Sequence, residues 1–104
     1  MNYRVILSNF AKQQLDNILF YISITLCNET AARNVLQDAE NTIQQLAQSG
    51  GSLKLCDEPD LAQYGYRKIH FSSHRYIMLY TIEGKDILID RIYHELEDYQ
   101  NLPD

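Results

Sequence analysis

The sequence lacks any apolar run that approaches the roughly 18 residues of a membrane-spanning helix. Its first residues, Met1-Asn2-Tyr3-Arg4, also lack the charged and then apolar layout of a secretory signal peptide. Repeats, low-complexity tracts and linker-like stretches are missing too. We therefore expect a cytoplasmic protein that folds as one domain over residues 1–104, of which 45% are hydrophobic.

Cysteine is scarce, with Cys27 and Cys56 as the two examples in the chain. Neither lies in a CxxC motif or at the Cys/His spacing of a zinc site. In the cytoplasm we expect two reduced thiols, although the sequence leaves a disulfide between them open. His70 and His74 have no carboxylate at ligand spacing nearby. We therefore expect no metal and no other cofactor.

An excess of positive charge is also missing, because the formal net charge is −5. This value argues against broad, non-specific binding to DNA or RNA. Residues 61–82 nevertheless contain no acid, and acids gather at 57–60 and 95–98. The acid-free stretch contains five basic or imidazole side chains: Arg67, Lys68, His70, His74 and Arg75. The distribution predicts one basic patch on an acidic protein, with ordinary solvated surface charge as the alternative.

The first half of the chain has the pattern of a strand followed by two helices. Residues 3–7 are rich in strand-forming side chains, and Ser8 and Asn28 can each cap a helix. Apolar residues then recur in three- and four-residue steps, which places them on one face of each helix: Ala11, Leu15, Ile18, Ile22 and Leu26, then Ala32, Val35, Ala39, Ile43 and Leu46. The short connection between the helices predicts an antiparallel hairpin. Gly50-Gly51 is predicted to end the second helix in the left-handed conformation.

The second half has the pattern of a three-stranded meander. Residues 53–63 are predicted to be irregular, and strands are predicted over 64–71, 76–82 and 87–94. The middle run is apolar on both faces, which indicates a central strand, and Gly84-Lys85 supplies the next turn. Alternation in the last strand places Ile87 and Ile89 on one face and Leu88 and Ile92 on the other. A short terminal helix or tail is expected around Leu96, Tyr99 and Leu102.

These elements predict an α+β fold in which a helical hairpin packs on one face of an antiparallel sheet. Their order resembles that of the RelE/ParE superfamily, the toxin halves of type II toxin–antitoxin modules. The matching stretches are Tyr3-Arg-Val-Ile-Leu-Ser8 with Ala11 and Leu15, Gly65-Tyr-Arg-Lys-Ile-His70, Tyr76-Ile-Met-Leu-Tyr80, Ile87-Leu-Ile89, and Ile92-Tyr-His94 with Asp98. The chain looks closer to the ParE-like, plasmid-stabilisation members than to the RelE-like members.

The resemblance implies one of two activities, messenger RNA cleavage on the ribosome or poisoning of DNA gyrase. Cleavage without a metal needs a base, a cation and an acid at one phosphate. Lys68, His70 and His94 are the residues that could supply these groups if the chain is a ribonuclease. However, Ile77 stands where RelE-like nucleases typically carry an arginine, and Arg75, on the other side of Tyr76, is a poor substitute for it.

Acidic residues at the C-terminal end, Glu95, Glu97 and Asp98, would repel an RNA phosphate. A structural role for His94, bonded to a neighbouring strand or to Asp98, is the alternative to catalysis. The tyrosines among the basic residues could stack on bases, but Tyr76 and Tyr80 share a face with Met78, which favours core packing. We therefore expect a toxin that is not an enzyme; if it is one, it is a metal-independent endoribonuclease.

The resemblance also implies a cognate antitoxin that wraps an extended segment around the toxin. Arg67, Lys68 and Arg75 are predicted to bind acidic side chains of that partner. The target is DNA gyrase in the preferred hypothesis and the ribosome in the alternative, and a third hypothesis is an inactive member that only binds its antitoxin. No membrane and no small-molecule substrate is expected.

Overall fold

The computed structural model describes residues 2–97 and shows an α+β fold built from a helical hairpin and one four-stranded sheet. The elements in chain order are β1 (Arg4–Leu7), α1 (Asn9–Phe20), α2 (Glu29–Ser49), α3 (Pro59–Ala62), β2 (Arg67–His70), β3 (Tyr76–Glu83) and β4 (Asp86–His94). The short α3 was not predicted. The tail predicted around Tyr99 and Leu102 lies outside the described residues. No helix within residues 2–97 is long and apolar enough to cross a membrane.

Both predicted helix caps are confirmed. The Ser8 hydroxyl accepts a hydrogen bond of 2.9 Å from the backbone N–H of Ala11, and the Asn28 side chain accepts one of 3.0 Å from Ala31. These side chains satisfy backbone donors that the first turn of a helix leaves without partners. A π-helical stretch, Tyr21–Thr25, extends α1, and a short connection then turns the chain back into α2.

The predicted left-handed end of α2 is wrong. Gly50 has a φ of −57° and leads into a 3₁₀ turn, Gly50–Ser52. Glycine is needed here for space, because a Cβ atom on Gly50 would overlap the Ile87 side chain. A Cβ atom on Gly51 would likewise overlap the Tyr3 hydroxyl. The two glycines therefore let the end of α2 approach the sheet closely.

The sheet has the strand order β1-β4-β3-β2, and β2, β3 and β4 form the predicted antiparallel meander. The strand β1 pairs in parallel with β4, from Arg4 opposite Asp86 to Leu7 opposite Ile89. The sheet is therefore mixed rather than wholly antiparallel as expected. A tight turn forces two strands to be antiparallel, but β1 reaches β4 only after the helical hairpin and two other strands, so its direction is free of that constraint.

A β-bulge in β4 changes which side chains face the helices. Tyr80 pairs with Ile89 and Leu79 pairs with Arg91, which leaves Asp90 as the additional residue. A bulge of this kind reverses the alternation of the side chains that follow it. Ile92 therefore lies with Ile87 and Ile89, and the prediction that it shares a face with Leu88 is wrong.

Each face of the sheet carries its own core. On the hairpin face, the sheet packs against α1 and α2 through ten buried residues: Ala11, Val35, Ala39, Leu46, Phe71, Met78, Tyr80, Ile87, Ile89 and Ile92. We call residues 53–66 the strap and the opposite side of the sheet the strap face. There Cys56, Ile77, Leu79 and Tyr93 are buried together, and the strap residues Leu61 and Tyr66 pack against them. Both thiols are free, with Cys27 exposed and Cys56 buried.

Helix α1 completes the part of β4 that β1 does not reach. The Ser8 backbone N–H donates to the Ile89 carbonyl at 2.9 Å, and the Ser8 hydroxyl donates to the Asp90 carbonyl at 2.8 Å. One turn and a half further on, the Gln14 side-chain oxygen accepts from the Ile92 N–H at 2.7 Å. Side chains of α1 thus bind the backbone of β4 where a neighbouring strand is missing.

Replacing Ser8 with alanine is expected to lower the free energy of unfolding by about 1–2 kcal/mol. The change removes the cap of α1 and also the hydrogen bond to Asp90. Urea denaturation measures the loss, and Ser8→Thr, which keeps the hydroxyl, is the matched control. Equal losses in the two variants would contradict the assignment of these bonds.

Candidate functional site

The three candidate catalytic residues lie on two different faces of the sheet. Lys68 pairs with Leu79 and His70 pairs with Ile77, both of which are buried on the strap face. Side chains at directly paired positions point to the same face, so Lys68 and His70 also face the strap. His94 instead pairs with Tyr76, which packs against the hairpin-face core. The sheet therefore separates His94 from the other two residues.

His94 takes part in the turn that follows β4. Its ring meets the Tyr76 ring edge-on, with 5.3 Å between centroids. Its Nδ1 atom accepts a hydrogen bond of 3.1 Å from the backbone N–H of Leu96, and the backbone N–H of His94 donates to Glu97 Oε1 at 3.1 Å. These contacts hold the His94 residue in the turn and occupy its Nδ1 atom. The bond to Asp98 considered above falls outside the described residues.

Lys68 forms an ion pair with Glu58 of the strap, and the two side chains are 25% and 26% exposed. Burial alone would lower the pKa of Lys68, but the hydrogen bond to Glu58 and the nearby Tyr93 outweigh burial and raise it above its ordinary value. The same hydrogen bond lowers the pKa of Glu58. Lys68 therefore holds its proton, which suits a fixed cation and not a general base.

Arg67, predicted to bind the partner, lies on the other face of the sheet. It pairs with Tyr80, a residue of the hairpin-face core, and its Nη1 atom donates to the carbonyl oxygens of Gly51, at 3.3 Å, and Leu53. The guanidinium group therefore joins β2 to the end of α2 and the start of the strap. Its position separates it from Lys68, its neighbour in the sequence.

Arg75 lies beyond the end of β2, next to the last residues of β4. Its Nε atom is 3.5 Å from Glu95 Oε1, and its carbonyl accepts from the Glu95 N–H at 2.8 Å. His70 Nδ1 is 4.0 Å from the other oxygen of Glu95. Of the residues predicted to form the basic patch, Lys68 and His70 therefore face the strap, and these two and Arg75 each lie near a carboxylate of the same chain.

Both of those carboxylates, Glu58 and Glu95, come from acidic stretches already visible in the sequence, but the sequence does not show which cation each one meets. Glu58 is ten positions from Lys68, and nothing local connects them. The strap returns antiparallel to β2, with a bridge between Leu55 and Arg67, and this path brings Glu58 to Lys68. Glu58 is thus the site residue that sequence reasoning missed.

The position of the expected nuclease arginine is a core position. Ile77 is buried on the strap face, opposite Tyr93 and His70 in the register of the sheet. Its side chain packs in the core that the strap covers. A guanidinium group at this position would lose its hydration without gaining a substrate phosphate.

His74, expected at the surface with the basic patch, binds a buried carboxylate of α2. Asp38 is 5% exposed and accepts hydrogen bonds from the N–H groups of Ser72 and Ser73, at 3.1 and 2.9 Å, and contacts His74 Nδ1 at 2.7 Å. All of these partners belong to the turn between β2 and β3. Asp38 therefore fixes that turn on α2.

The tip of the helical hairpin is apolar and exposed. Four large side chains there are in contact with solvent: Phe20, Tyr21, Ile24 and Leu26. Such a cluster at one end of a protein is typical of a surface that another protein covers. Within the described part of the chain, no group of three or more His, Cys, Asp or Glu residues could hold a metal ion.

The comparisons place this chain, with its helical hairpin on one face of a mixed sheet, among the toxins of type II toxin–antitoxin modules. A family model described as "ParE toxin of type II toxin-antitoxin system, parDE" matches residues 5–99. The chain belongs to this ParE toxin family. A solved structure titled "Chromosomal ParDE TA system from P. aeruginosa" contains a chain with a TM-score of 0.72 and 20% identity, covering 88% of this chain and 95% of that chain. This likeness shows a shared fold, and no curated protein matches.

Proposed function

We propose that this member of the ParE toxin family inhibits growth by binding a cellular target, with DNA gyrase as the candidate, and that a cognate antitoxin neutralises it in the cytoplasm. The observation that carries the proposal is the separation of His94 from Lys68 and His70 by the sheet. An acid, a base and a cation that act on one phosphate must lie within hydrogen-bond reach of it. The placement of His94 on the other face of the sheet from Lys68 and His70 is unfavourable for that condition.

The contacts of Lys68 and Ile77 support the same proposal. The raised pKa of Lys68 and its ion pair with Glu58 are unfavourable for a base, and Ile77 contributes an apolar core side chain where a nuclease needs a cation. Strap residues pack against the sheet face on which Lys68 lies. This surface suits protein binding better than hydrolysis.

The antitoxin is proposed to cover the apolar tip of the helical hairpin, because burying Phe20, Tyr21, Ile24 and Leu26 would supply a hydrophobic contribution to binding. An amphipathic segment of the antitoxin is a suitable partner for that surface. Lys68 and Arg75 remain the proposed contacts for its acidic side chains. Arg67 is a weaker candidate for that role in this geometry, because its Nη1 atom is bound to backbone carbonyls.

The proposal is tested by assaying the purified protein for inhibition of gyrase supercoiling and for ribosome-dependent cleavage of messenger RNA. We expect inhibition of supercoiling without cleavage. In cells, His94→Gln is expected to retain growth inhibition within about threefold, because no bond-breaking step depends on the imidazole. Cleavage that is abolished by His94→Gln, or by Lys68→Met, would overturn the proposal in favour of a ribonuclease. Antitoxin binding without either activity would identify an inactive member.

A further inference from the structure

The strap carries carboxylates that face cations of the same chain, and the two pairs differ in exposure. Lys54 and Asp57 are 3.0 Å apart, with side chains 81% and 83% exposed, whereas the side chains of Lys68 and Glu58 are about three-quarters buried. Exposed pairs contribute little to stability because water and salt screen them. A pair withdrawn from water depends on its partner, since either charge alone would be poorly solvated.

A cleft of about 330 Å³ opens beside the Lys68–Glu58 pair, between the strap and β2. Its lining comprises residues 53–58 together with Lys68 and His70. The apolar part of this lining comes from Leu53, Leu55 and Cys56. A cleft with an apolar wall and a lysine at one end has the features that bind an acidic side chain with an apolar neighbour.

The side chain of Glu58 lines this cleft and does not cap α3. It occupies the position before Pro59, but its side chain makes no capping hydrogen bond to the helix. Proline at the first helical position favours the helical backbone by itself, so α3 does not depend on the Glu58 carboxylate. The described contact of that carboxylate is the ion pair with Lys68.

We propose that the cleft binds an acidic side chain from a protein partner and that Glu58 occupies the place of that side chain in the free toxin. The carboxylate of the partner would exchange with Glu58 at Lys68, with Lys54 and His70 as the other positive or ionisable groups at the rim. Glu58 is therefore an internal competitor that lowers the affinity for the partner. This inference rests on the proposed role of Lys68 in antitoxin binding.

An acidic peptide fits this site better than RNA. One carboxylate can replace another at Lys68 without changing the charge of that ion pair, whereas a phosphodiester chain brings several charges past Asp57 and Glu95. Like charges in proximity oppose binding. The apolar wall also suits the side chains that flank an acid in an amphipathic segment.

The test uses Glu58→Gln, which removes the internal carboxylate with little change of shape. The probe is a short, acetylated, fluorescent peptide of alternating leucine and glutamate, and its binding is measured by anisotropy. We expect Glu58→Gln to bind the probe at least about fivefold more tightly than the wild type, as a released competitor predicts. Asp60→Asn is the matched control, because it removes the same charge at an exposed position outside the cleft lining and is expected to change affinity less than about twofold.

Three results would overturn the proposal: an unchanged affinity in Glu58→Gln, an equal gain in both variants, or tighter binding of an oligouridylate than of the peptide. Adding Lys68→Met to Glu58→Gln is expected to abolish the gain. A second measurement uses the wild-type chain, in case a variant does not fold. Titration of the peptide should then shift backbone amide resonances of residues 54–58 and 68–70, and shifts confined to other residues would contradict the cleft.

The result of the peptide-binding test does not depend on which cellular target the toxin has. A chain that fails to inhibit supercoiling but gains affinity in Glu58→Gln would overturn the proposed target and support the cleft. A chain that inhibits supercoiling but shows no gain of peptide affinity in Glu58→Gln would support the proposed target and overturn the cleft proposal. A probe in which glutamine replaces glutamate is expected to lose the gain, which separates the carboxylate contact from the apolar contact.

Discussion

Replacing Asp38 with alanine is expected to lower the free energy of unfolding by about 3–5 kcal/mol. The buried carboxylate accepts from two backbone N–H groups and contacts the His74 ring in the turn between β2 and β3. Alanine would leave all of these groups without their acceptor and detach the turn from α2. Urea denaturation measures the loss, with Asp16→Ala, at an exposed position of α1, as the control.

The stability that Asp38 contributes should also depend on pH. Burial of the carboxyl group works to raise its pKa, but the hydrogen bonds from His74, Ser73 and Ser72 hold it below the ordinary value of 3.8. Since the pKa is lower in the folded state, the contribution is complete above the ordinary value and is lost as pH falls through the folded-state pKa. The difference between wild type and Asp38→Ala should therefore shrink below about pH 4. A difference that grows in acid would contradict this assignment.

Replacing Arg67 with alanine is expected to cost about 2–4 kcal/mol of folding stability. The guanidinium group donates to the carbonyl oxygens of Gly51 and Leu53, and its aliphatic stem lies on the hairpin face of β2. Loss of these bonds would release the start of the strap from the sheet. Thermal or urea unfolding measures the effect.

The control for Arg67 is Lys54→Ala, which removes a cation from an exposed ion pair and should cost less than about 1 kcal/mol. Arg67→Lys should give an intermediate loss, because an ammonium group cannot reproduce the geometry of the guanidinium donors. If Arg67 served mainly to bind the antitoxin, Arg67→Ala and Lys54→Ala would have the same stability and differ only in partner binding.

Local chemistry made several features of the fold predictable. Ser8 and Asn28 accept from the N–H groups three residues later, and this contact requires nothing outside the first turn of each helix. The turn at Gly84, with a φ of 61°, follows from the ability of glycine to adopt positive φ. The two helical stripes were predictable for the same reason, since their spacing is a property of one segment, but Leu26 was wrongly included because it lies beyond the first helix and is exposed.

The features that were missed depend on how distant segments meet. The bulge at Asp90 moves Ile92 to the hairpin face, and the sequence of β4 alone does not contain the register that produces it. Arg67 looked like a surface cation because its acceptors are backbone carbonyls, which no pattern of side chains reveals. The sequence therefore indicated which residues to consider for the candidate site. It did not predict that they lie on two faces of the sheet, or that Glu58 pairs with Lys68.

The contacts between α1 and β4 also affect the tendency of the protein to aggregate. A strand that extends beyond its neighbour has unpaired backbone N–H and C=O groups at its exposed end. These groups can pair with a strand of another molecule. The Ser8 hydroxyl and the Gln14 amide occupy those groups on β4 beyond Ile89. These two polar side chains therefore oppose edge-to-edge aggregation, because they bind backbone groups of β4 that could otherwise pair with a strand of another molecule.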